Sequence, residues 1–165
     1  MIQLLVDYKA SLASLDKDNA LTALHFAINC GLADSTLELL ISIKADVNIN
    51  DKDGLPIHDA CIAKKASYVS ILLKHGSKID VFNSDGDLPI HLAALRDSTD
   101  IMELLLSSNA DITSLNKTGL NPFHSACKTN SKNAIQYLLL SGDFVNQLSN
   151  NRFSPLHIAA VNDYD

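Results

Sequence analysis

Cysteine is scarce, basic side chains are outnumbered and no apolar run is long, and each shortage removes a class of function. The three cysteines, Cys30, Cys61 and Cys127, are odd in number and show no metal-type CxxC spacing, which argues against a disulfide framework and fits a reducing compartment. Lys and Arg number 13 against 19 Asp and Glu, a net charge of −6. With no long basic run, the electrostatic term that nucleic-acid binding depends on is missing, so DNA and RNA are not expected as partners. Apolar stretches such as LELLISI and IMELLL fall far short of the roughly 20 residues a bilayer span needs, and no basic region precedes the first apolar residues. The expectation is an intracellular protein, cytoplasmic or nuclear, with no membrane insertion. GxSxG, HExxH and glycine-rich phosphate loops are absent as well. What remains is a chain 47% hydrophobic and 19% charged, apolar enough to bury a sizeable core.

One short phrase recurs through it. LPIHDA from Leu55 and LPIHLA from Leu88 share their shape with TALHFA from Thr22, NPFHSA from Asn121 and SPLHIA from Ser154. Their histidines, His25, His58, His91, His124 and His157, step by a constant 33 residues. A fixed period of this size marks stacked supersecondary units.

The unit from Asp87 to Gly119 shows what repeats. Pro89 suits the first position of a helix, where a missing N–H costs nothing, and Pro56, Pro122 and Pro155 stand at the same place. Small residues follow two and three places after the histidine (Ala93 and Ala94, Ala60 and Cys61, Ala126 and Cys127, Ala159 and Ala160) and let a neighbouring helix approach closely. A break at Arg96-Asp97-Ser98 leads into IMELLLSS, whose apolar face predicts a second, more buried helix. ADITSLNKTG then reads as an extended finger ending in a tight turn at Gly119.

This unit, with its TPLHxA-like opening, resembles the ankyrin repeat. The resemblance implies an all-α ankyrin-repeat solenoid of helix–turn–helix units joined by extended finger loops. It covers nearly the whole chain as a single domain over 1–165: full repeats at 21–53, 54–86, 87–119 and 120–152, a partial repeat at 1–20 containing QLLVDY, and another at 153–165. Thr22, Asn121 and Ser154 are expected to cap their first helices through a side-chain oxygen, whereas Leu55 and Leu88 have none. The first repeat carries an extra residue before Ala45 and its finger is one residue shorter, so the histidine period is restored by compensation.

Five histidines in register invite a metal reading, but neighbouring units lie one helix-packing distance apart, ~10 Å, while zinc ligands sit ~2 Å from the ion. Each imidazole is expected instead to hydrogen-bond the neighbouring finger's backbone. Cys61 beside His58 and Cys127 beside His124 raise the idea of an activated thiol. Both cysteines occupy the place of Ala94 and Ala160, so they are expected to be small core residues. No catalytic, cofactor-binding or metal-binding residue is assigned.

The resemblance implies recognition: a protein–protein interaction scaffold that binds a partner protein through a concave groove of finger tips and first helices. Carried over position by position, the partner-binding residues are Lys52, Asp53, Ile62, Asp85, Asp87, Leu95, Arg96, Lys117, Leu120, Lys128 and Phe153. Acidic fingers (Asp51, Asp53, Asp80, Asp85, Asp87) precede a basic stretch (Lys117, Lys128, Lys132), which suits a partner with a basic segment followed by an acidic or polar one. The alternative is a targeting or regulatory ankyrin module of a longer enzyme, channel or signalling protein. A monomer is expected, with Ile2, Leu5, Ile158 and Val161 as the apolar end residues through which chains would self-associate.

Overall fold

Each recurring phrase folds into a helix of seven residues, and each leucine-rich stretch after it into one of nine or ten. The structure is a computed structural model that describes residues 22–142 and 146–162. The expected partial repeat over 1–20 lies outside the described residues, as do Ile2 and Leu5. In order, the helices are α1 (Ala23–Asn29), α2 (Asp34–Ser42), α3 (Pro56–Ile62), α4 (Ala66–Lys74), α5 (Pro89–Leu95), α6 (Thr99–Ser107), α7 (Pro122–Lys128), α8 (Lys132–Ser141) and α9 (Pro155–Val161). No strand occurs among the described residues, and the fold is all-α.

The chain divides into two compact units, Met1–Lys78 and Ile79–Asp165. In the first, α1 packs on α2 and α3, and α4 packs on α2 and α3. In the second, α7 lies between α5 and α9, while α6 and α8 pack on each other and on their own first helices. First helices therefore stack on first helices and second helices on second helices within each unit. The small positions make this spacing: Ala60, Cys61, Ala93, Ala94 and Ala126 are fully buried, as are Leu72, Ile101, Met102, Leu105 and Leu138 from the second helices. Leu104 and Leu106, flanking Leu105, are half-buried.

Helix starts follow the sequence with one correction. Pro56, Pro89, Pro122 and Pro155 each open a helix. The Asn121 side chain accepts from the His124 amide at 2.9 Å, and the Ser154 hydroxyl from the His157 amide at 3.4 Å. Thr22, expected to cap in the same way, makes no such bond; its Oγ1 lies 2.7 Å from His25 Nδ1 and pairs with the imidazole instead.

The irregular first repeat is resolved into its parts. In later repeats three residues join first and second helices (63–65, 96–98, 129–131), whereas four join α1 to α2, Cys30 to Ala33. The longer loop is tied down by Tyr68, a buried side chain on α4 whose hydroxyl donates to the Leu32 carbonyl. The compensating deletion sits in the finger turn, where the Asp51 amide bonds the Gly54 carbonyl three residues on, against four residues for Asn83 to Asp87 and Asn116 to Leu120.

Candidate functional site

Every described finger ends in a turn built around one polar side chain. Asp51 Oδ1 accepts from the Asp53 and Gly54 amides, both at 2.8 Å. Asn83 Oδ1 accepts from the Asp87 amide at 2.8 Å, Asn116 Oδ1 from the Thr118 and Leu120 amides at 3.0 and 2.9 Å, and Ser149 Oγ from the Phe153 amide at 3.1 Å. Asp, Asn and Ser do this because a short side chain can mimic the backbone acceptor of a turn.

In the Ile79–Asp165 unit the tips are also joined to one another. The Lys117 amide donates to the Gly86 carbonyl at 2.9 Å, and the Asn150 amide to the Gly119 carbonyl at 3.3 Å. Such an approach needs glycine: a Cβ on Gly86 would sit 2.6 Å from the Lys117 Cβ, and one on Gly119 2.1 Å from Asn150 Cγ, and both residues have positive φ (84° and 77°). Behind the tips the histidines reach forward in the expected way. His91 Nε2 lies 2.9 Å from the Leu120 carbonyl and 3.1 Å from that of Ser114, and His124 Nε2 lies 3.1 Å from the Phe153 carbonyl. In the Met1–Lys78 unit His25 Nε2 bonds the Gly54 carbonyl at 3.0 Å. Neutral imidazoles with Nε2–H donating account for these contacts. Burial holds His25, His91 and His124 below the ordinary 6.5, with nearby Asp51 pulling His25 and Asp87 pulling His91 part of the way back.

The candidate partner-binding residues take up different environments on this frame. In the first unit Lys52 and Asp53 are exposed at the tip and Ile62 is exposed at the end of α3. Asp51, read as a surface charge from the sequence, is buried. In the second unit Asp85, Arg96, Lys117 and Lys128 are exposed, Phe153 is 46% exposed, and Asp87, Leu95 and Leu120 are half-buried. Asp87 is held from the next finger, accepting from Asn116 Nδ2 at 2.6 Å. The Lys117 ammonium sits over the Phe82 ring, 5.6 Å from its centroid, a cation–π pair. The Leu95 carbonyl accepts the Thr129 and Ser131 hydroxyls at 3.1 and 3.2 Å, so the loop after α7 pins the end of α5.

Cys61 and Cys127 are not set up as nucleophiles. Both are buried. Burial pushes the Cys61 thiol far up and that of Cys127 to about 11, which keeps both protonated near neutral pH.

A family model described as ankyrin repeats (3 copies) matches residues 32–116 and again residues 90–165. The chain belongs to the ankyrin repeat family. No curated protein matches it. Ankyrin repeats in general are modules that bind protein partners, and the family is typically non-catalytic. No helix among the described residues is long and apolar enough to cross a membrane.

One polar cluster in these ankyrin repeats was not read from the sequence. His25 of α1, Asp51 of the first finger and Asp59 of α3 come together in the first unit, all buried. The His25 Nε2 and Asp51 Oδ1 atoms are 3.8 Å apart. Burial, then the charge of Asp51, raises the Asp59 carboxyl to about 7, although a hydrogen bond from Asn29 opposes the shift. The sequence held a signal. Asp59 occupies the place after the histidine, where the other repeats carry Phe26, Leu92, Ser125 and Ile158.

Proposed function

We propose that this chain is a protein-interaction scaffold that binds a partner protein through finger tips and the exposed ends of first helices, without catalysis. The observation that carries the reading is the tip-to-tip hydrogen bonding in the Ile79–Asp165 unit, Gly86 to Lys117 and Gly119 to Asn150. Tips joined in this way are pre-organised, so docking on them orders little new backbone. Asp85, Lys117, Lys128 and Arg96 would form the charged part of that groove, Leu95, Leu120 and Phe153 its apolar part, and Asp87 its half-buried floor. Lys52, Asp53 and Ile62 are the corresponding positions of the first unit. A single ankyrin-repeat domain over 1–165, intracellular and monomeric, belongs to the same reading.

Leu95→Ala combined with Phe153→Ala tests it. Anchors at the centre of an interface typically contribute more than ~1 kcal/mol each, whereas rim charges act mainly on association rate and salt dependence. The double variant is expected to weaken a captured partner with a nearly unchanged thermal midpoint, and Lys128→Glu to weaken it most at low salt. Glu103→Ala, an exposed change on α6, should leave binding intact. A partner that tolerates the double variant but loses affinity for the Glu103 variant would move the site to the second helices.

A further inference from the structure

Two carboxylate oxygens of the first unit, Asp51 Oδ2 and Asp59 Oδ2, are buried and have no hydrogen-bond partner. Burying a carboxylate oxygen without a partner is unfavourable, so this pair beside an imidazole either shares a proton or takes up a cation. One ligand-capable atom from each of His25, Asp51 and Asp59 lies within 4.8 Å of the other two. We propose that these three residues bind a divalent transition-metal ion of the zinc class.

Asp51 builds its finger turn through one oxygen, and Asn83 and Asn116 build the turns of the next fingers, one residue longer, with a neutral amide, so the turn itself does not call for a charged group. Asp59 stands where no other repeat has an acid. Asp51 Oδ1, 3.8 Å from His25 Nε2, already accepts from the Asp53 and Gly54 amides, and Oδ2 is left without a partner. One imidazole and two carboxylates favour zinc over magnesium or calcium, which prefer oxygen alone. Zinc holds such ligands at ~2.0–2.2 Å, placing them roughly 3.3–3.6 Å apart in a tetrahedron, so modest side-chain contraction closes the site.

His25 is already placed to switch tautomers. Nε2 now donates to the Gly54 carbonyl at 3.0 Å, and Nδ1 faces the Thr22 hydroxyl at 2.7 Å. Moving the ring proton from Nε2 to Nδ1 keeps the imidazole neutral, lets Nδ1–H donate to Thr22 and frees the Nε2 lone pair for the metal. Metal-bound histidines are oriented by an outer partner of this kind. The Gly54 carbonyl, released from Nε2–H, then offers a fourth ligand. Asn29, hydrogen-bonded to the Asp59 side chain, is exposed, so the cluster lies one hydrogen bond from a solvent-facing side chain.

Calorimetric titration of the 165-residue chain with zinc chloride near neutral pH is expected to show one saturable event, and magnesium chloride none. Asp51→Asn and Asp59→Asn should each weaken zinc by at least about tenfold while retaining the helical circular-dichroism spectrum. His75→Gln, an exposed imidazole outside the cluster, should bind as the parent does. Cobalt(II) in place of zinc should give the visible absorption of a four-coordinate ion, lost in both aspartate variants. The site is overturned by absence of a saturable event, by unchanged affinity in both folded aspartate variants, or by loss of binding in the His75 variant; two carboxyls sharing a proton would then account for the cluster.

Discussion

His91 shows how one side chain depends on its repeat. Its Nε2 ties α5 to the next finger, but its Nδ1 has no hydrogen-bond partner: Leu88 presents no side-chain oxygen where Thr22, Asn121 and Ser154 do, and its amide does not reach the ring as that of Leu55 reaches His58. His25, His91 and His124 all titrate below 6.5 in the folded chain, chiefly through burial. The unfolded chain therefore takes up protons first as pH falls below 6.5, and stability that is full above that value declines from there toward the folded pKa values. Asp59 acts in the opposite sense: its folded value, raised to about 7, makes its contribution greatest below the ordinary 3.8 and lost as pH rises through about 7. The imidazole and carboxyl contributions therefore oppose each other across mildly acid pH, and Asp59→Asn is expected to leave urea midpoints that fall as pH drops below 6.5. Imidazole NMR titrations should place His91 and His124 below 6.5. A midpoint for either histidine at or above that value would contradict the buried, neutral tautomer.

At the scale of elements, what stabilises a second helix comes from two directions. The first is its own apolar face: Leu105 is fully buried in α6, and Leu105→Ala should cost about 2–5 kcal/mol in chemical denaturation. The second is reached across the repeat. Asp97, at a positive φ of 57° in the loop after α5, accepts from the Ala134 amide at 2.8 Å and from Asn133 Nδ2 at 2.7 Å, capping the start of α8. Asp97→Ala should cost about 1 kcal/mol by loss of that cap. A neutral result at both positions would mean that α6 and α8 are held by something else. Leu105 could be read from the pattern of IMELLLSS. Asp97 could not, since an acid 35 residues before its helix looks like any loop charge.

At the scale of the whole molecule, protection is expected to vary along the second unit. α6 buries Ile101, Met102 and Leu105, whereas α9 buries only Pro155 and leaves Leu156 and Val161 78% and 79% exposed. Local opening is governed by buried apolar contact, so amides of α9 should exchange well before those of α6. Equal hydrogen-exchange protection of the two helices in a monomeric sample would count against this. Leu140, 84% exposed on α8, adds to the apolar surface through which chains would self-associate at high concentration.

The repeat, the helix pairs and the histidine-to-finger bonds were legible in the sequence because each recurs several times over at one period. Proline at helix starts, alanine or cysteine at close-packed positions and glycine in the finger turn need only the residue and its place in the unit. The even period also made the compensating changes in the first repeat visible, and the Leu32 to Tyr68 bond shows how the extra residue is accommodated. Contacts between repeats that do not recur at the period came only from packing: the joined tips of the second unit, the Asp97 cap, the burial of Asp51, and the meeting of His25, Asp51 and Asp59. A periodic pattern specifies what one unit looks like. Which side chains of two units face each other, and whether their charges are balanced, follows only from the distances set by packing.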